Sequence, residues 1–119
     1  MDRMVLIADD CINASAQLTD IIANIPGFRV AARARDGREA LKLYATHRPP
    51  VVCMDIIMPH MDGLQAARAI LRIDPQAAIY MVSSIADVPA KLSQAIALGV
   101  RDIIAKPFNG EDIRAMLLV

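Results

Sequence analysis

Five short apolar runs, each broken off by a polar residue, constrain the fold of this chain more than any other feature. They cover residues 4–8, 28–33, 51–54, 79–82 and 102–105. The run at 51–54 follows Pro49-Pro50 and has no polar position, which suits a strand buried on both faces of a parallel sheet. The run at 28–33 is more polar and so belongs nearer a sheet edge. Between the runs, apolar residues recur at helical spacing. Leu18, Ile21, Ile22 and Ile25 mark the first helix, and Ala40, Leu41, Tyr44 and Ala45 the second, which Asp36 can cap. Leu64, Ala67 and Leu71, flanked by Ala66 and Ile70, mark the third. The fourth spans residues 87–98, with Val88, Leu92, Ala95 and Ile96 expected inward and small residues such as Ala90 and Ala97 outward. Pro89 is tolerated there because it falls in the first turn, and Gly99 closes the helix. Asn109 or Gly110 opens a last helix carrying Ile113, Met116 and Leu117.

Strict alternation of strand and helix means a parallel sheet with helices on both faces. For five strands the natural doubly wound order is 2-1-3-4-5, with its switch point between the first and third strands. The expected architecture is therefore α/β: a five-stranded parallel sheet, order 2-1-3-4-5, doubly wound with five helices, as in flavodoxin-like folds. At 119 residues, with no linker or repeat, the chain reads as one domain over residues 1–119.

This topology gathers chemistry at one edge. The carboxyl ends of the strands present Asp9 and Asp10, Asp55, Ser83 with Ser84, and Lys106. Clustered carboxylates repel one another and raise at least one pKa. A hard cation relieves this, and Mg²⁺ accepts one or two carboxylates while taking other ligands from water and phosphate oxygens. Lys106 adds a positive charge and Ser83 a hydroxyl donor, completing most of what a phosphoryl-transfer site needs. Each residue has an ordinary explanation alone, such as a helix cap for Asp9-Asp10 or a strand-end hydroxyl for Ser83. Their convergence on one sheet edge does not.

Composition narrows the alternatives. Net charge is zero and aromatics make up 3% of residues, which speaks against direct nucleic-acid contact by this domain. No apolar run approaches bilayer length. The start Met-Asp-Arg-Met leads directly into a strand-like run, so no signal peptide and a cytoplasmic location are expected. Cys11 and Cys53 form no metal-spacing motif and read as reduced, structural thiols. An aspartyl phosphohydrolase would want a second acid-base carboxylate two residues after Asp55, where Ile57 stands. A flavin carrier would not place Asp9-Asp10 in its phosphate loop.

The chain resembles the response-regulator receiver domain of two-component signalling. The motifs are Asp9-Asp10, Met54-Asp55 with Met58-Pro59 and Met61-Asp62-Gly63, Ser83, and Lys106-Pro107-Phe108. Each is weak alone, and the combination spans nearly the whole chain. The resemblance implies that Asp55 is the phosphoacceptor for a sensor histidine kinase or phosphotransfer protein. Asp10, Asp55 and the Ile57 backbone carbonyl would hold Mg²⁺ directly, and Asp9 through water. Lys106 would pair with the phosphoryl group and Ser83 would donate to it. The face made by the fourth helix, fifth strand and fifth helix would then be read by an output domain or partner protein, with a phosphorylation-dependent homodimer left open. In that family such a domain catalyses its own phosphorylation and dephosphorylation rather than turning over a substrate.

Departures from the pattern carry their own expectations. Ile103 stands where the family often has an aromatic switch residue, so a ring flip is not the readout. Counting from Asp55 favours Ser83 as the switch hydroxyl, and counting back from Lys106 favours Ser84. Apolar Ile57 and Ile85 beside the site should hinder an attacking water and give an acyl phosphate lasting hours. The short last helix fits either a stand-alone regulator or the N-terminal part of a longer one.

Overall fold

A computed structural model describes residues 2–84 and 88–118. Its elements run β1 (Arg3–Ala8), α1 (Ile12–Ala23), β2 (Phe28–Ala34), α2 (Gly37–His47), β3 (Val51–Met54), α3 (Gly63–Ile73), β4 (Ala78–Ser84), α4 (Val88–Leu98), β5 (Asp102–Lys106) and α5 (Gly110–Leu118). The strands form one parallel sheet in the order β2-β1-β3-β4-β5. The expected topology is therefore observed, with the polar β2 at an edge. One extra residue in β2 bulges the ladder opposite Val5 and Leu6.

Side chains alternate across a strand, so the sheet divides its apolar residues between two layers. Val52, Met54, Ile79 and Met81 face one layer with Ala40, Tyr44, Leu64, Ala67, Ile70 and Ala95 from α2, α3 and α4. Val51, Cys53, Tyr80 and Val82 face the other with Leu18, Ile22, Ile113, Met116 and Leu117 from α1 and α5. Cys53 lies deep in the second layer, where burial pushes its thiol up to about 12 and keeps it inert.

Local signals account for most helix ends. Asp36 accepts a bond from the Glu39 amide at 2.8 Å, capping α2 as expected. Asp62 and Gln65 form a reciprocal capping box on α3. Asn109 accepts from the Asp112 amide at 2.8 Å and so caps α5. α1 stops at Ala23, before Pro26-Gly27, yet Ile25 beyond it still reaches the core.

Two helices orient differently from the periodicity. In α2, Ala45 is exposed and Leu43 packs against the core in its place. In α4, Leu92 and Ile96 point outward, Ile96 being 60% exposed, while Ala95 and Leu98 face the sheet. α4 interrupts its apolar residues at Lys91, Ser93 and Gln94, so its sequence offers two candidate stripes, and the one built on Ala95 and Leu98 packs against the sheet. Ile85, Asp87 and the Val88 side chain, which the sequence reading also used, lie outside the described residues.

Candidate functional site

The site is assembled by extending the strand ladders past their last residues. The Asp9 amide donates to the Ala34 carbonyl at 3.0 Å, and the Asp55 amide to the Ala8 carbonyl at 2.8 Å. These bonds fix both backbones at the carboxyl end of the sheet. Asp9 also accepts the Cys11 amide on Oδ1 at 2.9 Å, so part of its carboxylate is committed to starting α1. Asp10 is exposed, and Asp9 and Asp55 are buried. One carboxylate oxygen from each of Asp9, Asp10 and Asp55 falls within a 4.8 Å cluster.

Lys106 ends β5 and reaches across this cluster. Its ammonium lies 2.7 Å from Asp9 Oδ2 and 3.1 Å from Asp55 Oδ2. Sequence reasoning paired Lys106 with the phosphoryl group and did not anticipate its bridge to Asp9, the shorter of the two. Charge shapes each group. Burial pushes the Asp55 carboxyl above its ordinary 3.8; the Lys106 hydrogen bond opposes this, and the charges of Asp9 and Asp10 reinforce it. Burial would lower Lys106, but its hydrogen bonds to Asp9 and Asp55 outweigh that and hold it above 10.5. One ammonium therefore faces three carboxylates, an excess of negative charge in a partly closed space. Three hard oxygen donors so arranged suit a divalent cation that keeps open positions for water and phosphate oxygens.

The loop after Asp55 is packed against it. The Gly63 amide donates to the Ile56 carbonyl at 2.7 Å, and a Cβ on Gly63 would collide with the Asp55 carbonyl oxygen. Gly37 meets the same loop: its amide donates to the Met61 carbonyl at 2.9 Å, and a Cβ there would strike that carbonyl. Neither glycine contact was anticipated, although the Asp-Gly pairs at both places were a signal of tight backbone approach. Ile56 is buried, while Ile57, two residues after Asp55, is 51% exposed.

The two serines of β4 lie on opposite faces. Ser83 is fully buried, and its hydroxyl has no partner among the described residues. It shares strand parity with Ile79 and Met81, which face the α3 side. Ser84 is exposed, stands in register with Lys106, and shares parity with Tyr80 and Val82.

Residues 5–118 match the family model described as "Response regulator receiver domain". The chain is 42% identical over 109 residues to the chemotaxis protein CheY of Thermotoga maritima, covering 92% of this chain and 89% of that one. It is 38% identical over 113 residues to CheY of Bacillus subtilis, covering 95% and 92%. Among solved structures, a CheX-CheY-BeF3-Mg²⁺ complex from Borrelia burgdorferi superposes with a TM-score of 0.90 at 30% identity, over 97% of this chain and 86% of that one. Among the described residues, no helix is long and apolar enough to cross a membrane.

Proposed function

Because the chain belongs to the response regulator receiver domain family, we propose that it is a Mg²⁺-dependent phosphoacceptor switch in a cytoplasmic two-component phosphorelay, with residues 1–119 acting as one receiver unit. The observation that carries this reading is the Asp55 carboxylate, buried at a strand end and held 3.1 Å from Lys106 beside two further carboxylates. An Asp55 oxygen attacks the phosphoryl group of a phosphohistidine on a sensor kinase or phosphotransfer protein. The phosphorus–nitrogen bond breaks, a phosphorus–oxygen bond to Asp55 forms, and the imidazole leaves with a proton. Lys106 pairs with the phosphoryl oxygens, releasing one of its present carboxylate partners.

Asp10, Asp55 and the Ile57 carbonyl would hold the cation, with Asp9 acting through water. Bound there, Mg²⁺ supplies positive charge to the transferring phosphoryl group and offsets the repulsion among the carboxylates. For the switch hydroxyl we take Ser83, buried at the end of β4 with a hydroxyl that has no partner among the described residues and is free to turn to a phosphoryl oxygen. Apolar Ile57, two residues after Asp55, offers no acid-base group to an attacking water and supports a phosphoryl lifetime of hours. On α4, outward Leu92 and Ile96 give the α4-β5-α5 face an apolar stripe for an output domain, a partner protein or a second phosphorylated copy.

The test is intact-protein mass after incubation with phosphoramidate, with Mg²⁺ or with chelator, on wild type and Asp55→Asn. One phosphoryl adduct that requires both Mg²⁺ and Asp55 is expected. An adduct that survives Asp55→Asn would place the acceptor elsewhere.

A further inference from the structure

Among the described residues, the buried aspartates and serines are Asp9, Ser15, Asp55 and Ser83. Asp9, Asp55 and Ser83 stand at the carboxyl ends of β1, β3 and β4. Ser15 stands apart, in the first turn of α1. It is 4% exposed, and its hydroxyl accepts the Arg33 Nε–H at 3.0 Å. Arg33 reaches α1 because of the bulge in β2. Phe28 and Val30, before the bulge, pack in the layer of α1 and α5. Ala32 and Ala34, after it, pack in the layer of α2, α3 and α4. The extra residue, Ala31, reverses the alternation and so turns Arg33 to the α1 side.

The Arg33 bond closes a ring. The Ser15 amide donates to the Cys11 carbonyl at 3.0 Å, and the Cys11 amide to Asp9 Oδ1 at 2.9 Å. The Asp9 amide donates at 3.0 Å to the carbonyl of Ala34, the neighbour of Arg33. Asp10 lies between two members of this ring, Asp9 and Cys11. The ring matters because α1 begins without the device that other helices here use. α2, α3 and α5 each start on a side chain that accepts a first-turn amide. Cys11 gives α1 no such cap, and the first turn carries no acidic residue. A helix end without these partners frays unless a tertiary contact fastens it.

We propose that Arg33 is a positioning residue for the Asp10 carboxylate: by tying Ser15 to β2 it holds the first turn of α1, and with it Asp10, at the divalent-cation site. This rests on the reading of Asp10 as a cation ligand. Charge alone predicts the opposite sign. Arg33 and Arg35 line the same hollow as Asp9. Removing a cation there strengthens the pull of the carboxylates on Mg²⁺. Losing the tether weakens binding, because a ligand that is no longer held must be ordered by the ion.

The test measures Mg²⁺ affinity from amide chemical shifts of the unphosphorylated protein, with amide hydrogen exchange in chelator as a second readout. Arg33→Met keeps the apolar stem and removes the donor. Ser15→Ala removes the acceptor, keeps every charge and puts a better helix former into α1. Each is expected to weaken Mg²⁺ binding about tenfold and to speed exchange in the first turn of α1. The urea midpoint of Ser15→Ala should stay nearly unchanged, since Arg33 is exposed and turns to water. The double variant should bind no more weakly than either single one, because both changes remove the same bond. Arg33→Lys, which retains a donor, should recover part of the affinity, and Arg35→Met should not weaken it. Unchanged or tighter binding in Arg33→Met, or losses that multiply in the double variant, would overturn the role of Arg33. A wild-type protein that binds no Mg²⁺ would overturn the cation site and this role with it, and the wild-type titration alone tells that failure from the first.

Discussion

α3 and α4 are helices of the same length on the same face of the sheet, and they are held very differently. α3 opens with a capping box, presses Gly63 onto the Asp55 carbonyl, and buries Leu64, Ala66, Ala67 and Ile70. α4 buries Ala95 and half-buries Leu98, and it turns Leu92 and Ile96 to the outside. Between them lies β4, ending in one buried and one exposed serine. The difference teaches where the fold spends its packing. The side that aligns Asp55, the proposed phosphoacceptor, is fixed, and the side proposed to be read by partners is lightly attached and presents its apolar residues outward.

The sharpest test of this contrast is a pair of truncations. Ile70→Ala in α3 is expected to cost roughly 2–5 kcal/mol, as for a fully buried aliphatic side chain. Ile96→Ala in α4 is expected to stay within about 0.5 kcal/mol, as for a surface position. Urea denaturation of the two variants decides, and comparable losses would abolish the distinction. Gly63→Ala comes next. The new methyl group must displace the Asp55 carbonyl, so a loss of about 1–3 kcal/mol or more is expected, together with slower phosphoryl uptake. Full stability with normal uptake would mean that the α3 entrance is not rigid.

Charge gives a third test. Asp55 has a folded-state pKa above its ordinary value, so its contribution is most favourable below that value and is lost as pH rises through the folded pKa. In chelator, Asp55→Asn should therefore gain stability relative to wild type as pH is raised upward from about 3.8, with the gap constant at higher pH. Denaturant titrations across that range would show it, and a gap that shrinks would contradict the raised pKa. The smallest effect is expected at Ser83. Ser83→Ala removes a buried hydroxyl that has no partner among the described residues, so melting should rise by the equivalent of about 1 kcal/mol. The same change should weaken the response to phosphorylation, whereas Ser84→Ala should leave both melting and response unchanged. The reverse pattern would move the switch role to Ser84.

Much of this was legible beforehand. The strands, their order and the gathering of Asp9, Asp10, Asp55 and Lys106 at one edge follow from apolar runs that end in polar residues, and parallel topology leaves few alternatives. Helix faces were less legible where hydrophobicity lacked contrast. α3 has one clear stripe and reads correctly, whereas α4 has two, and only the space over the sheet selects between them. Contacts such as Lys106 with Asp9, or Gly63 with the Asp55 carbonyl, depend on loop paths that no periodicity encodes. The serine pair was not separable by counting, because loop length on either side of it shifts the count by one residue; the structure adds that Ser83 is buried and Ser84 exposed.

That doublet also bears on how the chain tolerates change. A strand that gains or loses one residue turns every later side chain to the opposite face. For most positions in β4 this would exchange one core layer for the other. With serine at both Ser83 and Ser84, loss of one upstream residue places Ser84 where Ser83 stood, so the tip of β4 is buffered against a deletion that would silence a strand ending in a single serine.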